Sequence, residues 1–273
     1  MTDILIVTYA RDFPYLEWCL RSIQKFARGF HRLLIIVPDR DLTLLKEVLH
    51  RVPLFGFSDK NEPIKFLEIQ GIDEWPDKGM LHHMSVIMHA DIYSDSDFIC
   101  HIDSDTIFTA PVTPDTFIKN GKPILQYERF ESIGQRHPGV VEWQKVTQNC
   151  LPFAIHYETM RQHGETYSRA TYAEARKLMQ QKTGQSVDDY IRSGRNAFPQ
   201  EFCEFVTLGN VAIHCFPDKY HLVDNALKEN PDKGDFPIGQ FWSHSALDLP
   251  QDIWWEGVQR KIIPISKIKS ILA

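Results

Sequence analysis

Apolar residues in the first hundred positions fall in short continuous runs separated by segments of helical spacing. Ile4 to Val7 is one such run, of the kind that forms a strand buried on both faces. Asp12 and Pro14 follow as start signals, Leu16, Leu20, Ile23 and Ala27 keep a helical spacing, and Gly29 marks the stop. Leu33 to Val37 predicts a second buried strand closed by Pro38-Asp39, Leu42 to Val52 a second helix, and Ile64 to Ile69 a third strand. Met80 to Asp91 predicts a helix with Met84, Ile87 and Met88 inward, leading to a fourth apolar run, Phe98 to Ile102. This alternation predicts an α/β fold, a mostly parallel Rossmann-like sheet flanked by helices on both faces.

Beyond Pro111 and Pro114 the pattern changes. The polar stretch Glu128 to Gly139, with Gly134, Pro138 and Gly139, predicts a long loop. The rest leans helical: Thr171-x-x-Glu174 and Ser186-x-x-Asp189 have the form of capping boxes, and Gln200 to Leu208 is a further helical segment. The expected organisation is one compact domain with a sheet-bearing part, 1–118, and a more helical C-terminal part, 119–273.

Composition narrows the class. The 273 residues are 43% hydrophobic and 24% charged, which excludes collagen-like, disordered and coiled-coil chains. A formal charge of -6 provides no overall positive field for a polyanion, so a dedicated nucleic-acid binder is disfavoured. The five cysteines, Cys19, Cys100, Cys150, Cys203 and Cys215, are odd in number and widely spaced. No Cys-x-x-Cys pair occurs among them, which suits a reducing compartment better than a disulfide framework or zinc ribbon. The start lacks the basic residues of a signal peptide, and no stretch approaches the length of a transmembrane segment. A cytoplasmic location is therefore expected.

The strongest chemical signal is Asp103-Ser104-Asp105, directly after the apolar run Phe98 to Ile102. Ligands of open α/β sheets bind beyond the carboxyl ends of strands. Two carboxylates one residue apart at such a place suit a hard divalent cation, Mn²⁺ or Mg²⁺. The whole segment, Asp97-Phe-Ile-Cys-His-Ile-Asp103-Ser-Asp105-Thr-Ile-Phe-Thr-Ala-Pro111, resembles the metal-binding segment of GT-A glycosyltransferases. In those enzymes a strand ends in Asp-x-Asp and a proline follows shortly. Asp3-Ile-Leu-Ile-Val-Thr-Tyr-Ala-Arg-Asp12 resembles the first strand and loop of that fold, and Val37-Pro38-Asp39 the end of its second strand. Cys203-Glu204-Phe-Val-Thr-Leu-Gly209-Asn210 is similar to a Ser-Glu-Phe-Glu-x-Tyr-Gly-Asn segment of a poorly characterised bacterial group of GT-A-like proteins. His156-Tyr-Glu-Thr-Met160-Arg161 is similar to that group's Tyr-Glu-Phe-Met-Arg segment.

The resemblance implies a metal-dependent transfer of a sugar from a nucleotide-sugar donor, UDP- or GDP-linked, to an acceptor hydroxyl. Residues 1–118 would then bind the donor and 119–273 form the acceptor side. Thr8, Tyr9, Arg11, Asp12, Asp39 and Ser104 would line the donor site. His82 and His83 stand where the group carries a Gln-Gln pair, and would hydrogen-bond ribose or phosphate. Asp103 and Asp105 would hold the metal, with a histidine from near the C-terminus: His244, in Gly239-Gln-Phe-Trp-Ser-His244, ahead of His214 and His221. Glu204 would serve as the base for an inverting attack, with Glu201 one helical turn earlier as its substitute. If configuration is retained, the same carboxylate would bind sugar or acceptor instead.

Other features admit plainer readings. Trp254-Trp255 would stack on a sugar or pack as core. The tail Arg260-Lys261-Ile-Ile-Pro264-Ile-Ser-Lys267-Ile-Lys269 would touch an anionic membrane or pack against the body, and Pro264 argues against one continuous amphipathic helix. A glycan, a lipid-linked intermediate or modified DNA are the acceptors that the fold class suggests. Two alternatives share the Asp-x-Asp. One is a haloacid-dehalogenase-type phosphohydrolase, but Ile107 stands where that family usually carries Thr or Val, and Gly234-Asp235 lacks the later Asp partner. The other is a non-catalytic protein that binds nucleotide-sugars.

Overall fold

The apolar runs Ile4 to Val7 and Leu33 to Val37 become strands because helices cover them on both faces, whereas the segment from Ile64 keeps Glu68 and Gln70 exposed. The computed structural model describes residues 1–52, 64–73, 75, 78–161, 163–195, 201–229 and 236–240. Its strands are β1 (Thr2–Val7), β2 (Phe30–Pro38), β3 (Ile64–Ile72), β4 (Phe98–His101), β5 (Thr106–Phe108), β6 (Ile118–Lys119), β7 (Lys122–Arg129), β8 (Tyr157–Glu158), β9 (Thr166–Ser168), β10 (His221–Asp224) and β11 (Ile238–Gln240). Its α-helices are α1 (Phe13–Phe26), α2 (Leu42–Arg51), α3 (Gly79–Met88), α4 (Ala90–Tyr93), α5 (Pro114–Phe117), α6 (Phe130–Arg136), α7 (Val141–Cys150), α8 (Arg169–Thr183), α9 (Val187–Ser193) and α10 (Glu204–Cys215).

The main sheet has the order β3-β2-β1-β4-β9. β1, β2, β3 and β4 run parallel and β9 pairs with β4 antiparallel. The chain is thus an α/β protein with a mixed, mostly parallel sheet, consistent with a Rossmann-like fold. Successive side chains point to opposite faces. Ile4, Ile6, Leu33 and Ile35 pack with Leu16, Leu20 and Leu45 of α1 and α2. Leu5, Val7, Leu34 and Ile36 pack on the other face with Leu81 and Val86 of α3, Tyr172 of α8 and Val206 of α10. A truncation such as Leu16→Ala in this close packing costs about 2–5 kcal/mol.

A smaller sheet has β7 at its centre, parallel to β10 and antiparallel to β6 and β8, while β11 pairs antiparallel with β5. The part beyond residue 118 also returns β9 to the edge of the main sheet, so the two parts share a sheet and the core over it.

Three expectations need correction. The stretch Glu128 to Gly139 is no loop: Glu128 lies in β7, α6 follows, and Pro138–Val140 forms a 3-10 turn. Phe130 and Ile133, one helical turn apart, are buried. Arg136 Nη1 and Nη2 donate to the two oxygens of the fully buried Glu128 at 2.9 and 2.8 Å. Gly134 reads as a breaker in sequence, but here it permits close approach, since a Cβ there would meet Val141 at 2.8 Å. Thr171 does not cap a helix: α8 begins a turn earlier, after Ser168, and the Thr171 hydroxyl meets that of Tyr220 at 2.6 Å. Of the segment expected at Gln200 to Leu208, Glu201 to Cys203 precede the helix, which begins at Glu204 and runs on to Cys215. Ser186 does cap α9, its hydroxyl accepting from Asp189 N at 3.1 Å.

Candidate functional site

From β1 the chain winds outward through β2 to β3, then returns to the opposite side of β1 as β4. The connections leaving β1 and β4 therefore diverge, and such a switch point opens a crevice at the carboxyl ends of the strands. Thr8 to Asp12 leave β1 on one side of this crevice and Asp103 to Asp105 leave β4 on the other. Thr8 N donates to Ile36 O at 2.9 Å, and the buried Thr8 hydroxyl has no partner among the described residues. The buried carboxylate of Asp41 accepts from Ala10 N at 2.9 Å and pins the loop after β1.

After β4 a tight turn, closed by Thr106 N to Asp103 O at 3.0 Å, leads into β5. β11 lies against β5 with Gln240 opposite Thr106. This register brings the Gln240 side chain to the acidic pair, where Nε2 donates to Asp103 Oδ2 at 3.1 Å and to Asp105 Oδ1 at 2.7 Å. Asp105 is only 4% exposed, and Ser104 is also buried.

The surrounding groups register the charge of this pair. Burial, then Asp12 and also Asp105, raises the Tyr9 phenol well above its ordinary value. Burial raises the Asp12 carboxyl; the hydrogen bond from Tyr9 and the charge of Arg11 oppose this, and Asp103 adds to it. Beneath the site the Cys19 thiol faces Asp103 O at 3.7 Å. Burial and the two aspartates push that thiol far up, so it packs as a small apolar group and not as a nucleophile. Tyr9, Asp12, Asp103 and Asp105 thus form one acidic site.

The donor set fits a hard divalent cation. Both carboxylates converge on one point, now taken by an amide nitrogen. Adjacent ligands of an octahedral ion with bonds of about 2.1 Å lie about 3 Å apart, close to the spacing that the nitrogen keeps from each carboxylate. Among the described residues no group of three or more His, Cys, Asp or Glu side chains forms a metal cage. The other positions on a cation would fall to water and phosphate oxygens, the usual arrangement for Mg²⁺.

Deeper groups connect this pair to α10. His83 is partly buried; burial lowers its pKa and the nearby Asp103 charge opposes that. His82 is buried and stacks on Trp75 at 5.1 Å, and the Arg192 guanidinium lies 4.3 Å from the centre of the same indole. His101, two residues before Asp103, meets the Tyr172 hydroxyl at 2.6 Å, and burial, with His83, pushes its pKa down to about 3. The Phe205 ring stands edge-on to His101 at 5.4 Å, and Glu204 just before it is the buried first residue of α10. Glu204, Glu158 and Glu201 all act on the buried Cys203 thiol. Glu201 lies ahead of α10, not a turn down the same helix as the sequence suggested. Its carboxyl is raised by burial, against a hydrogen bond from Trp143.

The segments 156–161 and 203–210 form one packed unit. Thr159 Oγ1 donates to Phe205 O at 2.9 Å, Asn210 Nδ2 donates to Tyr157 O at 2.7 Å, and a Cβ on Gly209 would lie 2.1 Å from Thr159 Oγ1. Arg161 lies between Glu158 and Glu128, 3.5 and 3.7 Å away. Here the glycine and the asparagine hold the backbone that carries Glu204.

The remaining candidates stand as follows. Asp39 is exposed after β2 and lies against Gly71 of β3, where a Cβ would meet its Oδ1 at 1.9 Å. Arg11 is exposed. His214 stacks on Phe153 at 3.9 Å and His221 opens β10. His244, Trp254, Trp255 and the basic tail 260–269 lie outside the described residues. Sequence reasoning missed Gln240 and Asp41. Gln240 stands four positions before His244 in the same segment, where a neutral amide carries no sequence signal comparable to a carboxylate or an imidazole.

Fold and site define an α/β protein with a carboxylate pair after the carboxyl end of a parallel strand, beside the switch point of the sheet. The chain belongs to a family of unknown function (DUF6492), whose model matches residues 4–197. That span takes in the β1 loop and the Asp103–Asp105 turn and ends before Glu201, Glu204 and Gln240. No curated protein matches the chain. Among the described residues no helix is long and apolar enough to cross a membrane.

Proposed function

We propose that the protein is a GT-A-type glycosyltransferase that uses Mn²⁺ or Mg²⁺ and a UDP- or GDP-linked sugar. The observation that carries this reading is the Asp103–Asp105 pair, gathered on one amide nitrogen at the switch point of a parallel sheet. Asp103 and Asp105 hold the cation. When bound, it supplies Lewis acidity to the diphosphate leaving group as the anomeric bond breaks. Thr8, Tyr9 and Asp12 line the ribose and base end of the crevice, and the Thr8 hydroxyl offers a hydrogen bond. Neutral His83, lying near Asp103, faces the phosphate side. Glu204 accepts the acceptor proton, as a buried carboxylate at a helix start is placed to do. Residues beyond 118 form the acceptor side, for a glycan or lipid-linked hydroxyl. The free cysteines, most of them buried, suit a cytoplasmic site of action.

The test is calorimetric titration of UDP and GDP with and without Mn²⁺ on wild type, Asp103→Ala and Asp105→Ala. Binding that needs both Mn²⁺ and the two carboxylates is expected. Unchanged affinity in either variant overturns the reading.

A further inference from the structure

We infer that Gln240 is itself a ligand of the cation, presenting its carbonyl oxygen where its amide nitrogen now lies between Asp103 and Asp105. The inference rests on the metal-site reading above and adds to it a residue on a separate strand. Two observations on the side chain carry it. Gln240 is buried, at 4% exposure. Its nitrogen keeps 3.1 and 2.7 Å from two carboxylates at once, about the spacing that neighbouring ligands of one octahedral ion keep.

The residue type matters. A side-chain amide has a donor end and an acceptor end of nearly equal size, exchanged by a half-turn of its last torsion. The donor end faces the two negative oxygens and offsets their repulsion. With a cation between them a donor would be repelled, and the half-turn brings a hard oxygen ligand to the same point. A lysine would compete with the cation and an aspartate would add to the repulsion. Gln240 serves both states without moving the main chain, because its strand is fixed by the β5–β11 pairing from Ile238 to Gln240.

The experiment is titration of Mn²⁺ in the presence of UDP or GDP, followed by loss of the free-ion electron paramagnetic resonance signal, on wild type, Gln240→Met, Gln240→Glu and Asp105→Ala. Circular dichroism checks that each variant is folded. Gln240→Met keeps the length and removes the oxygen, so Mn²⁺ affinity should fall about tenfold or more. Gln240→Glu restores an oxygen and should bind at least as tightly as wild type, which a merely structural amide would not give. Mn²⁺ binding by Gln240→Met equal to or tighter than wild type overturns the inference, since Gln240 would then only compete with the ion. That result leaves the metal site standing so long as Asp105→Ala has lost it. Absence of Mn²⁺ binding by wild type overturns both.

Discussion

The two ends of the main sheet treat their acidic residues in opposite ways. At the end where the parallel strands begin, Asp3 is fully buried and enclosed by donors. Ser94 Oγ and Ser96 Oγ donate to it at 2.7 and 2.8 Å, His31 Nδ1 lies at 3.0 Å and Arg32 Nε at 3.3 Å. Arg32 also bonds Glu68 and Asp95, so the carboxylate ties β1 to β2 and to the segment before β4. At the end where the strands finish, Asp103 and Asp105 share a neutral amide nitrogen, and Asp12 stands close enough for Asp103 to raise its pKa. A carboxylate ringed by charged and hydroxyl donors is part of the scaffold. Carboxylates gathered with Tyr9 and Asp12 at the carboxyl ends of parallel strands stand where ligands of such sheets bind, and there perturbed acidic groups point to function.

Exchanging damage between the two ends should give the largest contrast. Asp105→Ala should abolish Mn²⁺-dependent binding of UDP or GDP and cost less stability than Asp3→Ala, since Gln240 Nε2 keeps Asp103 as an acceptor. Asp3→Ala leaves the hydroxyls of the buried Ser94 and Ser96 without this acceptor and takes one of three carboxylate partners from Arg32, and should cost about 3 kcal/mol of stability while the remaining folded protein still binds nucleotide. Thermal melts and titrations on the two variants decide. If Asp105→Ala is the one that unfolds, the assignment of the two ends is reversed.

The second effect lies in turnover. Glu204→Gln keeps size and hydrogen bonding but cannot take a proton, so transfer should slow about 10² to 10⁴-fold. Donor affinity should stay near wild type, because a base acts in the transition state and not in the ground state. Full activity on the true acceptor would remove Glu204 from the role, and the buried Glu201 would be tested next.

The contrast between the ends also shows what the sequence could disclose. The parallel core was readable because Ile4 to Val7 and Leu33 to Val37 are uninterrupted apolar runs, which burial on both faces permits, while β3, with Glu68 and Gln70 exposed, shows the alternation of a strand covered on one face. The Asp-x-Asp was readable because its place after such a run fixes it at a strand's carboxyl end. The scaffold beyond residue 118 was not, because its reasons are tertiary. Gly134 is small to admit Val141 and does not break α6, and Glu128 is buried because Arg136 covers it from two turns away. Thr171 looks like a cap until Tyr220, distant in sequence, claims its hydroxyl. Gln240 escaped for the same reason, since only the pairing of β11 with β5 carries it to Asp103.

A smaller effect tests the boundary between the two ends, where His101 lies at the end of β4. Its folded pKa of about 3 lies below the unfolded value of about 6.5. The unfolded chain therefore takes up a proton that the folded one refuses. The stability that this group contributes is fully present above pH 6.5 and is lost as pH falls toward 3, at about 1.4 kcal/mol per pH unit. His101→Gln retains a partner for Tyr172 and does not titrate, so denaturant melts between pH 6.5 and 4 should fall less steeply with acid than wild type. Parallel curves would show that His101 is not the buried neutral group.

The smallest effect concerns the rim of the crevice at β2 and β3. Gly71 leaves space that the Asp39 carboxylate fills, and a methyl group there would sit 1.9 Å from Asp39 Oδ1 and 3.1 Å from Leu42 Cδ1. Asp39 is exposed and its carboxylate ends a short side chain that can swing into solvent, so Gly71→Ala should change stability by no more than about 1 kcal/mol. The displaced carboxylate would no longer stand at the end of β2, where the base of a nucleotide would lie. If Asp39 contacts the base, Gly71→Ala should weaken UDP or GDP binding several-fold, an effect worth about 1 kcal/mol, and leave Mn²⁺ affinity unaltered. Asp39→Ala should weaken it equally, and combining the two should add nothing, because both remove the same carboxylate from the same place. Additive losses would separate the two residues and leave Asp39 outside the donor site.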